Sequence, residues 1–334
     1  MTKIAILGGG SWGTGLSVVL ANSRRSHDIA LWAREPAIVD SIKTVRENKT
    51  YLPSVAIPAC VLPSTDLAEV LERAHVVVGA VPSAHTREVF TSALPHVSPD
   101  AAIVSATKGL ETVTHLRISE VIEQVLSSRF IPSVAVLSGP SFALEAARGE
   151  PTAVVLASHD HSLATFLQEE FAGPAFRLYT NDDVLGVELA GAMKNVMAIA
   201  AGACQGLGFG ANTLAALITR GLAEMTRLAV KLGARPETLG GLAGLGDLVL
   251  TCTGALSRNR HVGFELGKGR SLDDILRGMS MIAEGVPTTT ALLALGREQH
   301  VDLPITEQVN AILQQWKSPS EAIRDIMDRP LKRE

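Results

Sequence analysis

Four apolar residues, Ile4-Ala5-Ile6-Leu7, run directly into Gly8-Gly9-Gly10-Ser11-Trp12-Gly13, and a helical segment follows. A GxGxxG in that setting has a physical use at each glycine. Gly8 allows the tight turn, Gly10 lets a pyrophosphate approach the backbone, and Gly13 lets helix pack on strand. The hexapeptide alone is a weak signal. The strand before it and a second apolar strand at 28–32 turn it into a dinucleotide site rather than a merely tight turn. Gly15, inside the helix, costs about 1 kcal/mol relative to Ala, and the sequence shows no reason for it.

The same alternation continues. Short β-branched runs at 3–7, 28–32, 75–80, 101–106, 133–138 and 152–157 are separated by amphipathic segments, as in βαβ units with a largely parallel sheet. Val76-Val77-Val78-Gly79-Ala80 and Ala101-Ala102-Ile103-Val104-Ser105 are continuous and apolar, which places them mid-sheet. After about residue 180 the strand signals stop, and 183–204, 212–232, 272–278, 287–299 and 304–316 show helical spacing. The expected fold is α/β: a Rossmann-type dinucleotide-binding domain over 1–180 and a mostly α-helical substrate-binding and catalytic domain over 181–334. The boundary falls at Thr180-Asn181-Asp182-Asp183, where Asn and Asp can cap the first long helix. A chain of 334 residues has room for two such cores.

Composition narrows the function. Hydrophobic residues make up 46% and charged residues 19%, which argues for a soluble globular protein and against disorder. The net charge of −4 supplies no basic field for nucleic acid or an anionic membrane, so an anionic ligand must be met by local cations. Cys60, Cys204 and Cys252 form no CxxC pair and read as reduced, cytoplasmic thiols, the last two as packing residues. Met1-Thr2-Lys3 leads into a strand with no signal-peptide apolar region, so secretion is not expected. The charge-free run Val196 to Thr219 reads as two buried helices joined by Gly206-Leu207-Gly208-Phe209-Gly210 rather than as a membrane span. The nine histidines show neither HExxH nor other metal-ligand spacing, so no metal is expected.

The second strand ends Leu31-Trp32-Ala33-Arg34-Glu35. Arg34 suits the 2′-phosphate of NADP and Glu35 leaves NAD open; the bland alternative makes Arg34 a solvated residue starting the next helix. Hydride addition to a carbonyl leaves an alkoxide that needs a proton, and lysine is the better candidate donor here. Lys194 has Ala190, Gly191, Met197 and Ala198 as helical neighbours, so it either snorkels to water or sits buried with a pKa useful for proton transfer. Lys108 follows an apolar strand, at the carboxyl edge where open sheets bind ligands. Ser138-Gly139-Pro140-Ser141-Phe142-Ala143 is either a strand-to-helix turn or a helix start offering N–H groups to a phosphate or carbonyl oxygen. Asp247, in Gly244-Leu245-Gly246-Asp247-Leu248, would be costly unpaired, and Lys194 is a suitable partner. Ser257-Arg258-Asn259-Arg260 is either ordinary surface or a phosphate anchor.

Taken together and in order, these segments resemble the bacterial NAD(P)-dependent sn-glycerol-3-phosphate dehydrogenase family. The resemblance runs through Gly8 to Gly13, Ala106 to Glu111, Ser138 to Glu145, Glu188 to Gly202, Asn212 to Glu224, Gly241 to Thr253, Ser257 to Asn259 and Glu284-Gly285, nearly the whole chain. It implies Lys194 as catalytic acid/base, tuned by Asp247. It implies a glycerol 3-phosphate site lined by Lys108, Gly139, Ser141, Lys194, Asp247, Ser257, Arg258 and Asn259, with Lys108 and Asp247 counted with Lys194 as catalytic residues. For NADP or NAD it implies contacts from Ser11, Trp12, Arg34, Lys108, Ala143, Arg258 and Glu284, with Ile282 nearby. The implied reaction reduces the ketone of dihydroxyacetone phosphate, supplying glycerol 3-phosphate for glycerophospholipid synthesis in the cytoplasm. Gly9 and Gly15 stand where relatives often carry other small residues. The family is compatible with a homodimer, although no interface can be read from the sequence.

Two other readings remain. A dehydrogenase of a hydroxy acid would share the fold and the helical Lys-Asn with less need of Ser257-Arg258-Asn259. A non-catalytic dinucleotide sensor would keep Gly8 to Gly13 without needing Lys194 or Asp247 in an apolar setting.

Overall fold

In the first strand Ile4 and Ile6 pack into one apolar cluster and Ala5 and Leu7 into another, so an unbroken apolar run is buried on both faces. The computed structural model describes residues 1–334 apart from Ser280, Lys332 and Glu334. Among these, one sheet holds β1 (Thr2–Leu7), β2 (His27–Trp32), β3 (Val61–Ser64), β4 (Val76–Gly79), β5 (Ala102–Ser105), β6 (Ser133–Ser138), β7 (Thr152–Ala157) and β8 (Phe176–Asn181). Its order is β3-β2-β1-β4-β5-β6-β7-β8. Neighbours are parallel except β6 and β7. The two continuous Val/Ala/Ile runs are β4 and β5, mid-sheet as their composition requires.

Both strands that the sequence pattern does not flag lie at the sheet edges. β3 carries Pro63, which cannot donate to a ladder and is tolerated only at an edge. β8 buries Phe176 and Leu178 while Arg177 and Tyr179 face water.

Contacts divide the chain into two units, Met1–Lys108 with Leu116–Glu188, and Gly109–His115 with Leu189–Glu334. The first holds the sheet. The second is helical, built from the greater part of Val184–Gly206 followed by Ala211–Lys231, Pro236–Gly240, Asp247–Thr253, Arg258–Gly267, Leu272–Arg277, Gly285–Glu298, Pro304–Leu313 and Pro319–Met327. Asp183 caps the long helix, its Oδ1 accepting from Gly186 N at 2.9 Å, and Asn181 Oδ1 accepts from Asp183 N at 2.8 Å.

The charge-free run needs one correction. Val184–Gly206 is a core helix, with 94% of its most apolar window buried. Ala211–Lys231 is not buried throughout: Ala211, Asn212, Ala215, Ala216, Thr219 and Arg220 are exposed, and burial begins at Gly221 and continues through Met225 and Leu228. Ala and Thr gain little from burial, so the absence of charge over that half does not imply a core position.

Candidate active site

In the first unit the strand order reverses between β1 and β4, which opens the crevice where such sheets take ligands. The glycine loop sits there. Gly8 has φ +132°, and a Cβ on it would stand 2.5 Å from Ala80 O; a Cβ on Gly13 would stand 1.9 Å from Gly8 O. Gly10 is different. Its φ of −73° suits any residue, and a Cβ there would meet nothing within 4 Å. Glycine at this position therefore answers to no protein neighbour, and the space lies at the start of helix Ser11–Ala21, which has no side-chain cap. An uncapped helix start beside open space fits a pyrophosphate. The Trp12 indole N–H is buried without an acceptor, a second polar group there that the protein leaves unmatched. Gly15 now has its reason: a Cβ would stand 2.9 Å from Ala143 O, where helix Ala143–Ala147 crosses the nucleotide helix.

The other candidates of this unit also lie at the carboxyl edge. Arg34 follows β2 with its side chain 68% exposed, 3.6 Å from Glu35 Oε1, and it precedes helix Pro36–Val45 rather than starting it. After β5, Lys108 Nζ donates to Gly139 O at 2.9 Å; Ser141 Oγ donates to the same oxygen at 3.0 Å.

In the second unit Lys194 lies mid-helix with its side chain only 8% exposed. Snorkelling is thereby excluded. Nζ donates to Asp247 Oδ1 at 2.8 Å and to Thr251 Oγ1 at 2.7 Å. Thr251 Oγ1 donates its own proton to Asp247 O at 2.6 Å, so its oxygen faces the lysine as an acceptor. A buried pair of this kind is tolerable because both charges are hydrogen-bonded. Thr251 is absent from the sequence-based candidates; its signal is the i+4 spacing from Asp247 on one helix. Asp247 follows a π-helical turn, Leu242–Gly246, closed by Gly246 N to Gly241 O at 3.1 Å. Gly244 is required there because a Cβ would stand 2.0 Å from Leu239 O. Burial pushes the neighbouring Cys252 thiol up to about 12, against the pull of Lys194, so it stays protonated.

The helix Arg258–Gly267 lies on the lysine helix at backbone distance. Added Cβ atoms on Gly202 and Gly206 would stand 2.0 Å from Arg260 O and 2.2 Å from Phe264 O. Those on Gly263 and Gly267 would stand 1.9 Å from Ile199 O and 2.5 Å from Ala203 O. Glycine against glycine thus sets the register of Lys194 and Asn195 beside Arg258 and Asn259. Ser257 caps this helix through Arg260 N at 3.2 Å. Asn259 is buried, donating to Asn195 Oδ1 and accepting from Gly285 N, both at 2.9 Å. Arg258 remains exposed and donates to Ile282 O at 2.8 Å. Surrounding protein lowers its pKa and Glu284 opposes the shift, leaving a guanidinium that is charged at any working pH. The segment is neither plain surface nor wholly buried: its ends are anchored and its cation is offered outward.

The candidates therefore form two groups. Gly8, Gly10, Ser11, Trp12, Gly13, Arg34, Lys108, Gly139, Ser141 and Ala143 belong to the first unit, and Lys194, Asp247, Ser257, Arg258, Asn259, Ile282 and Glu284 to the second.

Two family models match the chain, one in each half. Residues 3–164 match a model described as the NAD-dependent glycerol-3-phosphate dehydrogenase N-terminus, and residues 183–324 its C-terminus. A glycerol-3-phosphate dehydrogenase (NAD(P)+) from Koribacter versatilis is 55% identical over 331 residues, 99% of this chain and 98% of its own. One from Acidobacterium capsulatum is 50% identical, covering 99% of each chain. The crystal structure of glycerol-3-phosphate dehydrogenase from Coxiella burnetii superposes with a TM-score of 0.93 at 41% identity, over 98% of this chain and 99% of that one. With a model matched in each half and relatives matched over almost the full length, the chain belongs to the NAD-dependent glycerol-3-phosphate dehydrogenase family.

Proposed function

We propose that this NAD(P)-dependent oxidoreductase interconverts dihydroxyacetone phosphate and sn-glycerol 3-phosphate, with Lys194 as the acid and base. The carrying observation is the buried Lys194 ammonium, fixed by Asp247 Oδ1 at 2.8 Å and Thr251 Oγ1 at 2.7 Å. Bound NAD(P)H supplies the hydride. Lys194 stabilises negative charge developing on the substrate oxygen at C2 and gives it a proton; in the oxidative direction it takes the hydroxyl proton. Asp247 and Thr251 act through Lys194 by holding its ammonium in place. Arg258 anchors the substrate phosphate with Ser257 and Asn259, and Lys108, Gly139 and Ser141 line the same substrate.

For the cofactor, Gly8 to Gly13 take the pyrophosphate, with Ser11, Trp12, Ala143, Ile282 and Glu284 as further contacts. Arg34 takes a 2′-phosphate and Glu35 a free ribose. Residues 1–180 then hold most of the dinucleotide contacts and 181–334 the acid/base and the phosphate anchor, while Lys108, Gly139 and Ser141 serve the substrate from the first part and Ile282 and Glu284 the cofactor from the second. Supply of glycerol 3-phosphate for glycerophospholipid synthesis, a cytoplasmic setting and a homodimer belong to the same reading and rest on family resemblance.

The test is oxidation of NADPH and NADH, in parallel, by purified protein with dihydroxyacetone phosphate. Rapid oxidation is expected, and the ratio reports on Arg34 and Glu35. Cofactor binding without oxidation, or a preference for a 2-oxo acid, would overturn the substrate assignment.

A further inference from the structure

Asn48 lies outside every segment that carries the resemblance, yet it is fully buried against the glycine loop. Its Nδ2 donates to Gly9 O at 2.9 Å and to Thr14 Oγ1 at 2.8 Å. Its Oδ1 accepts from Tyr51 N at 3.1 Å, and its own carbonyl accepts from Leu52 N at 2.9 Å. Thr14 Oγ1 in turn donates to Gly9 O at 3.3 Å. Both amide protons and the amide oxygen are therefore engaged, which fixes the orientation of the group. Asp would lack the donors, and Gln would be a methylene too long for the same contacts.

From this geometry we infer that Asn48 is a positioning residue for dinucleotide binding. It holds the Gly9 carbonyl on its own side, so that the Gly10 N–H is directed the opposite way. The reasoning is planar geometry. The peptide bonds of the described residues are trans, so the C=O of Gly9 and the N–H of Gly10 are antiparallel across one rigid plane. Pinning the oxygen from the Asn48 side aims the donor before any ligand arrives. Without that restraint the plane can rotate, because glycines on both sides oppose it little. Donors fixed in advance bind an anion more tightly than donors ordered on binding. The inference rests on the proposed role of Gly8 to Gly13.

The test measures NADPH binding by titration calorimetry together with steady-state kinetics. For Asn48→Ala the NADPH Kd should rise about tenfold, about 1.4 kcal/mol at 25 °C. The same variant should keep kcat at saturating NADPH and KM for dihydroxyacetone phosphate within about twofold of the parent. Thr14→Val should raise Kd about threefold and Thr14→Ser should restore it. A folded Asn48→Ala with parental Kd overturns the inference, even if its urea midpoint falls, because that result describes a structural amide only. If Asn48→Ala does not fold, equal affinity in Thr14→Val and Thr14→Ser overturns it instead. Gly10→Asp, which places a carboxylate in the open space, separates the two levels. Parental NADPH binding in Gly10→Asp would overturn the loop assignment itself; loss there with parental binding in Asn48→Ala overturns only the positioning role.

Discussion

Gly263→Ala tests whether the backbone contact between the lysine helix and the helix of Arg258 governs catalysis. The new Cβ would lie 1.9 Å from Ile199 O and 2.9 Å from Ala203 N. Ordinary contact begins near 3.4 Å, so the helices must part by about 1.5 Å, the difference of 3.4 and 1.9. Both obstructing atoms are backbone, and no rotamer change relieves them. Overpacking of this kind costs about 1–3 kcal/mol, offset by at most about 1 kcal/mol from the better helix propensity of Ala. With the full offset a net loss of about 0–2 kcal/mol follows. The functional effect should exceed the stability effect, because displacing Arg258 from Lys194 by about 1 Å can lower kcat/KM about 100-fold. Urea unfolding and kcat/KM for dihydroxyacetone phosphate at saturating NADPH measure both. Gly240→Ala is the control, since a Cβ there meets nothing within 4 Å. If Gly263→Ala matched Gly240→Ala in stability and kept parental kcat/KM, the register argument would be refuted.

Lys194→Ala should lower kcat by about 10²–10⁴-fold while NADPH Kd stays within about threefold; unchanged turnover would remove Lys194 from proton transfer. Arg258→Ala should raise KM for dihydroxyacetone phosphate at least about tenfold, and use of phosphate-free dihydroxyacetone by the parent enzyme as readily as of the phosphate ester would contradict the anchor. Burial holds Glu224 above its ordinary 4.5, against hydrogen bonds from Thr306 and Ile305 that pull it down. The folded state then keeps that proton longer than the unfolded one, so Glu224 lowers stability as pH rises from about 4.5 through its folded value. Parent stability relative to Glu224→Gln should fall over that interval, as measured by urea midpoints between about pH 4 and pH 7; parallel curves would contradict it.

Patterns within a few residues made much of this molecule legible. β1, β2 and β4 to β7 are apolar runs bounded by turns, and Asp247 in an apolar stretch demands a cation, which Lys194 provides. What escaped depends on distant or subtle context. Pro63 hides an edge strand, because its missing donor is harmless only where no neighbouring strand lies on that side, and local sequence does not show that. Thr251 looks like one more helical residue until its hydroxyl is seen donating to the Asp247 carbonyl and accepting from Lys194. Asn48 meets a loop far away in sequence, and neither partner betrays the other. The exposed start of Ala211–Lys231 shows the converse, since missing charge is permissive of burial without driving it.

The long helix Val184–Gly206 has a consequence for the life of the chain in a cell. It is long and apolar enough to cross a bilayer, and 94% of its most apolar 18 residues are buried inside the folded protein. Any event that opens the second unit releases the part of this helix that belongs to it, residues 189–206, which carries Lys194. Opened molecules should associate or be captured by chaperones faster than they reclose, so heat inactivation is expected to be irreversible and set by an opening rate. Lesions that loosen this unit would then reduce the amount of enzyme in the cell before they alter its chemistry.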